Sequence, residues 1–313
     1  MLKRIAALAT LIALMVVGLI FVATRNTSEN SDGKLTVVAS FYPLYDFAQQ
    51  VGGEHVQVTN ITPAGAEPHD YEPSAKTLAD AKKADVFIYN GGDFEPWTEG
   101  FASDYAHRIV KASTGITLHE GGGHIHDDEA AEEQEGASEQ DPHFWLDPVL
   151  AQHIVATISE GLVKADPAHK AYYEARAAKY VARLKALDEA FKDGLKHCTH
   201  DTIITSHDAF GYVAERYGFA VESIAGLSPD EEPSAARLAE LADHVEEEGI
   251  GYVFFESLVS PRLADTIAQE TGARTLVLDP IEGLKGEDQT KGKNYESVQR
   301  QNLANLRTAL ACQ

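Results

Sequence analysis

The chain has 313 residues, 44% of them apolar, enough for two ordinary lobes with a core each. Its 49 acidic residues against 26 basic ones leave a formal charge of −23. Such a surface repels nucleic acid and anionic ligands and favours cations, so nucleic acid is not an expected partner.

Lys3 and Arg4 precede an uncharged, mostly apolar run from Ile5 to Ala23, the order of an export signal. The run is about as long as the roughly 20 residues that cross a bilayer. Ala23-Thr24 is followed at once by Arg25 and no A-x-A pattern closes the apolar run. An uncleaved anchor and a cleaved signal both fit, with the anchor favoured. No cysteine lies near this segment, so a lipid-modified N-terminal cysteine is not expected. Residues 24–33 are polar and aperiodic and read as a tether. The membrane is expected to be touched through this N-terminal segment only.

Beyond the tether the chain repeats itself. The strand run Leu35-Thr36-Val37-Val38-Ala39-Ser40, followed by the helical FYPLYDFAQQVGG, is matched by TIITS and HDAFGYVAERYG at 202–218. Glu72-Pro73-Ser74-Ala75 is matched by Glu232-Pro233-Ser234-Ala235, and DVFIYN at 85–90 by YVFFES at 252–257. This is one duplication and not a solenoid. Strands alternating with helices predict parallel sheets with helices on both faces. Between the copies a helical pattern starts near Asp166-Pro167 and runs to about Lys196. The expected organisation is signal or anchor and tether at 1–33, an α/β lobe at 34–164, one long rigid connecting helix at 165–199 and a second α/β lobe at 200–313. Ligands of such sheets bind beyond the carboxyl ends of the strands, here in the cleft between lobes.

Four strand-end or nearby loop positions carry metal-ligating residues: His69, His143, His207, and the pair Asp279 and Glu282. Three imidazoles and a carboxylate suit four-coordinate zinc, whereas a site richer in carboxylates suits manganese better. The repeat sharpens the reading of His207, because its counterpart in the first copy is Phe41. Asp208 beside it reads as a cap of the following helix or a partner fixing the ring tautomer. Trp145 beside His143 reads as packing that orients the loop. HExxH, GxSxG and a Walker-type phosphate loop are absent, so an enzyme such as a zinc hydrolase is not expected. Cys198 and Cys312 form a disulfide in an oxidising compartment or stay as two buried thiols.

The segments FYPLYDFAQQVGG, EPHDYEPSAKTLADA, DPHFWLDP, SHDAFGYVAERYG, GLSPDEEPSAARLAEL and LDPIEGL resemble the zinc- and manganese-binding solute receptors of ABC importers, most closely the ZnuA/AdcA-type zinc receptors. The resemblance covers about residues 34–311. It implies two lobes on a long backbone helix, one zinc ion in the cleft carried as transported substrate, and His69, His143 and His207 as ligands. Glu282 ranks above Asp279 for the fourth position, with water as a third choice. It further implies an extracytoplasmic monomer that docks on an ABC permease with its ATPase, with a manganese or iron receptor, or a surface adhesin, as the alternative. The loop 118–142, with His119, His124 and His126 in a dense acidic run, is too polar and glycine-rich to pack. In the family such a loop accompanies zinc receptors and reads as an auxiliary metal collector.

Overall fold

A computed structural model describes residues 33–92, 94–102, 108–121 and 140–313. The export segment read from the sequence lies outside them. Among the described residues no helix is long and apolar enough to cross a membrane.

The first lobe runs β1 (Leu35–Ala39), α1 (Tyr42–Gly52), β2 (Val56–Asn60), α2 (Ala75–Ala81), β3 (Val86–Tyr89), α3 (Thr98–Ala102) and β4 (Ile109–Lys111). Two helices follow, α4 (Pro148–Ala165) and α5 (Lys170–Gly194). The second lobe runs β5 (Thr202–Thr205), α6 (Gly211–Tyr217), β6 (Ala220–Ser223), α7 (Ala235–Glu247), β7 (Tyr252–Phe255), α8 (Arg262–Thr271), β8 (Arg274–Val277), α9 (Gly286–Thr290) and α10 (Tyr295–Ala309). Each lobe holds a four-stranded, fully parallel sheet, in the orders β2-β1-β3-β4 and β6-β5-β7-β8. The two orders are the same, as the sequence duplication requires.

Local chemistry starts the equivalent helices in the same way. Ser74 and Ser234 each stand at an N-cap in extended conformation, and each hydroxyl accepts a bond from the backbone N–H three residues on, Thr77 and Arg237. That satisfies an amide the first helical turn leaves unpaired. The strands are runs of Val, Ile and Phe covered on both faces, so Val37, Ile88, Ile204 and Val253 are buried.

The helical pattern between the copies holds one long α-helix, α5, entered through a short 3-10 turn, with α4 preceding it. α5 begins at Lys170, after the 3-10 turn at Pro167–His169. The reason is local: the Asp166 carboxylate accepts from both the His169 ring (2.6 Å) and the Tyr173 hydroxyl (2.7 Å), which holds a turn there. α5 has 25 residues, about 38 Å at 1.5 Å per residue. α4 packs against it. One hydrophobic cluster runs from the first sheet (Val37, Val86) through Phe47, Ile154 and Leu187 to Ile203 and Phe254 of the second sheet and Leu306 of α10. The lobes therefore share a core.

Candidate metal centre

His69 follows β2, His207 follows β5 after Ser206, and Glu282 follows β8, all beyond the carboxyl ends of their strands. His143 precedes the 3-10 turn Phe144–Leu146, which leads to Asp147, the N-cap of α4. These four side chains meet between the lobes. The Nε2 atoms of His69, His143 and His207 lie 3.2, 3.4 and 3.2 Å from Oε1 of Glu282. His143 Nε2 is 3.3 Å from Nε2 of His69 and of His207, and all four donor atoms lie within 4.8 Å of one another. A tetrahedral ion with bonds of about 2.0–2.1 Å separates its donors by about 3.3 Å. His143, His207 and Glu282 are buried, and the His69 side chain is 10% exposed.

Two of the imidazoles are fixed from behind. Asp141 Oδ1 accepts from both the backbone N–H and the ring Nδ1 of His143, at 2.9 and 2.8 Å. Glu256 Oε1 accepts from Nδ1 of His207 at 2.6 Å. With Nδ1 held by a carboxylate in this way, loss of the Nε2 proton turns a lone pair toward the centre, and the carboxylate raises ring basicity. His69 is held differently: its backbone N–H donates to Glu67 Oε1 at 3.0 Å and its ring stands edge-on to Phe94 at 4.7 Å. Asn90, at the end of β3, donates to the carbonyl of Pro142 at 2.9 Å and so fixes the chain just before His143.

The charges are strongly coupled. Burial disfavours the His207 cation, but the carboxylates of Glu256 and Glu282 outweigh it and hold the pKa well above the ordinary histidine value. For His143 burial is likewise outweighed, by hydrogen bonds to Asp141 and Glu282, and its pKa rises. Burial dominates at His69 and lowers its pKa. Glu282 resists burial because His207 and the hydrogen bonds from all three imidazoles hold it well below the usual carboxylate range. Glu67 is pushed up to about 9, by burial first and then by the charge of Glu282.

Asp279 does not join the cluster. Its Oδ2 accepts from the Ser257 hydroxyl at 2.5 Å and its Oδ1 from the backbone N–H of Ile281 at 2.8 Å. It shapes the loop that turns Glu282 inward. Ile281 has φ 58°, a left-handed conformation that costs a β-branched residue about 1–3 kcal/mol. Trp145, fully buried, donates from Nε1 to the carbonyl of Pro280 at 2.8 Å, tying the His143 loop to the Glu282 loop. Asp208 is not the N-cap residue of the next helix: α6 starts at Gly211 with Phe210 at the N-cap. The carboxylate on His207 Nδ1 is Glu256, which sequence reading overlooked along with Asp141 and Glu67.

The His-bearing loop is ordered at its feet. Glu120 and Gln140 form an isolated antiparallel bridge. His119 stacks on Tyr212 at 3.9 Å and its Nε2 lies 3.0 Å from Glu215, so it is engaged with the second lobe and is not part of an unpacked loop. His124 and His126 lie outside the described residues. Cys198 and Cys312 form a disulfide across 114 residues of sequence.

Two parallel-sheet lobes with a buried cluster of three imidazoles and one carboxylate between them define a two-lobed solute-binding protein whose cleft can hold one metal ion. The chain belongs to the ZnuA family, the periplasmic component A of the zinc-uptake complex, whose model matches residues 37–309. It is similar to the high-affinity zinc uptake system protein ZnuA of Bacillus subtilis, 40% identical over 291 residues, covering 92% of this chain and 91% of that one. It is 40% identical to the zinc-binding lipoprotein AdcA of Streptococcus pneumoniae over 92% of this chain but only 58% of AdcA. The crystal structure of the Zn(II)-bound ZnuA-like domain of that AdcA superposes with TM-score 0.75 at 39% identity, covering 89% of this chain and 99% of the domain.

Proposed function

We propose that this chain is an extracytoplasmic receptor that binds one zinc ion in its cleft and presents it to an ABC-type permease and ATPase, and that it turns nothing over. His69, His143, His207 and Glu282 are the four ligands of this reading, and Asp279 is a support of the Glu282 loop. The observation that carries it is the donor spacing: five of the six donor–donor separations are 3.2–3.4 Å, the edge length of a zinc tetrahedron. Four protein donors around one ion leave no open coordination position for a substrate water, which suits carriage and not hydrolysis. A single carboxylate against three imidazoles favours zinc over manganese. The −23 charge of the chain draws cations toward the cleft. The N-terminal segment exports the protein, either as an uncleaved anchor that holds it to the outer face of the membrane or as a cleaved signal.

Competition titration of the purified chain against a chromophoric chelator tests the reading. One zinc per chain bound far more tightly than manganese is expected, with no cleavage of model esters. Tighter binding of manganese than zinc, or no stoichiometric binding of either, contradicts it.

A further inference from the structure

One face of α10 is buried and polar. Tyr295, Gln299 and Asn302, spaced i, i+4 and i+7, are at most 2% exposed, an arrangement that is costly unless every polar group is bonded. Each of them bonds to the backbone of a ligand-bearing loop. The Tyr295 hydroxyl donates to the carbonyl of Trp145 at 2.6 Å, and Gln299 Nε2 donates to that of Leu146 at 2.8 Å. Asn302 grips Asp279 twice: its Oδ1 accepts from the Asp279 N–H at 3.0 Å and its Nδ2 donates to the Asp279 carbonyl at 2.6 Å. The first two contacts fall two and three residues after His143, and the third falls three residues before Glu282. One helix face thus registers a ligand loop from each half of the chain against the other.

The restraint passes on through Asp279, whose Oδ1 holds Ile281 in its left-handed conformation. Such a backbone persists only where its surroundings over-determine it. The helix is itself fixed at both ends. Asn294 and Ser297 form a capping box at its start. At its end the carbonyl of Leu310 accepts from the N–H groups of Thr199 and His200, and Cys312 is bridged to Cys198.

We propose that Tyr295, Gln299 and Asn302 are positioning residues that set the distance between His143 Nε2 and Glu282 Oε1 and thereby the coordination geometry the cleft accepts. The inference rests on the zinc-receptor reading above. Held at this spacing the donors fit a four-coordinate ion. With the two loops released, the site widens, and ions that take more oxygen ligands, such as manganese, lose their disadvantage.

The test compares wild type, Tyr295→Phe and Asn302→Leu with Tyr173→Phe, whose hydroxyl serves Asp166 at the start of α5. Zinc and manganese affinities are measured by chelator competition, and Co(II) loading is followed by its visible absorption. Tyr295→Phe and Asn302→Leu are expected to weaken zinc by about tenfold or more while manganese changes little. The Zn:Mn affinity ratio then falls by about tenfold, and the intense bands of tetrahedral Co(II) fade. Tyr173→Phe is expected to lower the melting temperature and leave the ratio and the spectrum alone. Should Asn302→Leu not fold, the milder Tyr295→Phe decides. Variants that lose stability but keep the wild-type ratio and Co(II) spectrum overturn the proposal while the receptor reading stands. A wild type that binds no zinc brings down both.

Discussion

What lies behind each imidazole separates the three histidines. His143 and His207 are buried and backed by Asp141 and Glu256. Among the described residues no carboxylate backs Nδ1 of His69, and its ring is the one that reaches solvent. His69→Ala should therefore weaken zinc binding less than His143→Ala or His207→Ala, because water can reach the vacated position. Equal losses in a chelator titration would contradict this ordering. Glu256→Ala should cost about 10- to 100-fold in affinity without touching the ion, and Glu256→Gln, which keeps an acceptor for Nδ1, should cost less.

Proton linkage follows from the same groups. Without metal the His207 pKa lies well above the ordinary histidine value and that of His143 is raised as well, so at pH 7 His207 carries a proton that the ion must displace and His143 adds to the release. Glu282 is held ionised, and burial keeps His69 neutral, so neither adds a proton to the exchange. Zinc affinity should rise with pH from the ordinary histidine range up to the raised pKa of His207, and fall on acidification. Calorimetry in two buffers of different ionisation enthalpy should show net proton release at pH 7. Heats independent of the buffer would mean that His207 and His143 are already neutral.

At the level of elements, the duplication was readable because it rests on local chemistry. Ser74 and Ser234 cap equivalent helices, and the strand-end Ser40 and Ser206 frame Phe41 in one copy and His207 in the other. Ser74→Ala and Ser234→Ala should each cost about 1 kcal/mol and add, being far apart; urea denaturation of both single mutants and the double mutant checks this. Glu256 was not readable, and the reason is register. Matching DVFIYN to YVFFES letter by letter sets Asn90 against Ser257. In the sheets Val38 pairs with Phe87 and Ile204 with Val253, which sets Asn90 against Glu256. The two occupy one structural slot and serve the same end, one holding the His143 loop and the other the His207 ring. A one-residue offset leaves no trace in the hydrophobic pattern when the strands are apolar on both faces, as in these parallel sheets. The helical segment begins at Pro167 as a 3-10 turn and becomes α-helical at Lys170, a change held by the side-chain bonds of Asp166 to His169 and Tyr173.

For the whole molecule, alternation of strands and helices carried the architecture, and the meeting of the three candidate histidines in the cleft was implied by the resemblance. The contacts that enforce that meeting, made by α10, Trp145 and Asp279, were not legible, since they join segments remote in sequence. The Cys198–Cys312 bridge secures the C-terminal end of that framework. Cys312→Ser should destabilise the chain by about 4–5 kcal/mol in the chain-entropy model, seen as a lower urea midpoint; an unchanged midpoint would mean that the unfolded chain is already restrained there. Zinc at about a hundred times its Kd should raise stability by about 2.7 kcal/mol.

The most direct measurement is anomalous diffraction at the zinc edge from crystals grown with one equivalent of the metal. One peak is expected between the lobes, about 2.0–2.2 Å from Nε2 of His69, His143 and His207 and from a carboxylate oxygen of Glu282. A peak elsewhere on the molecule, or one in the cleft that leaves two of these four side chains uncoordinated, would contradict the account.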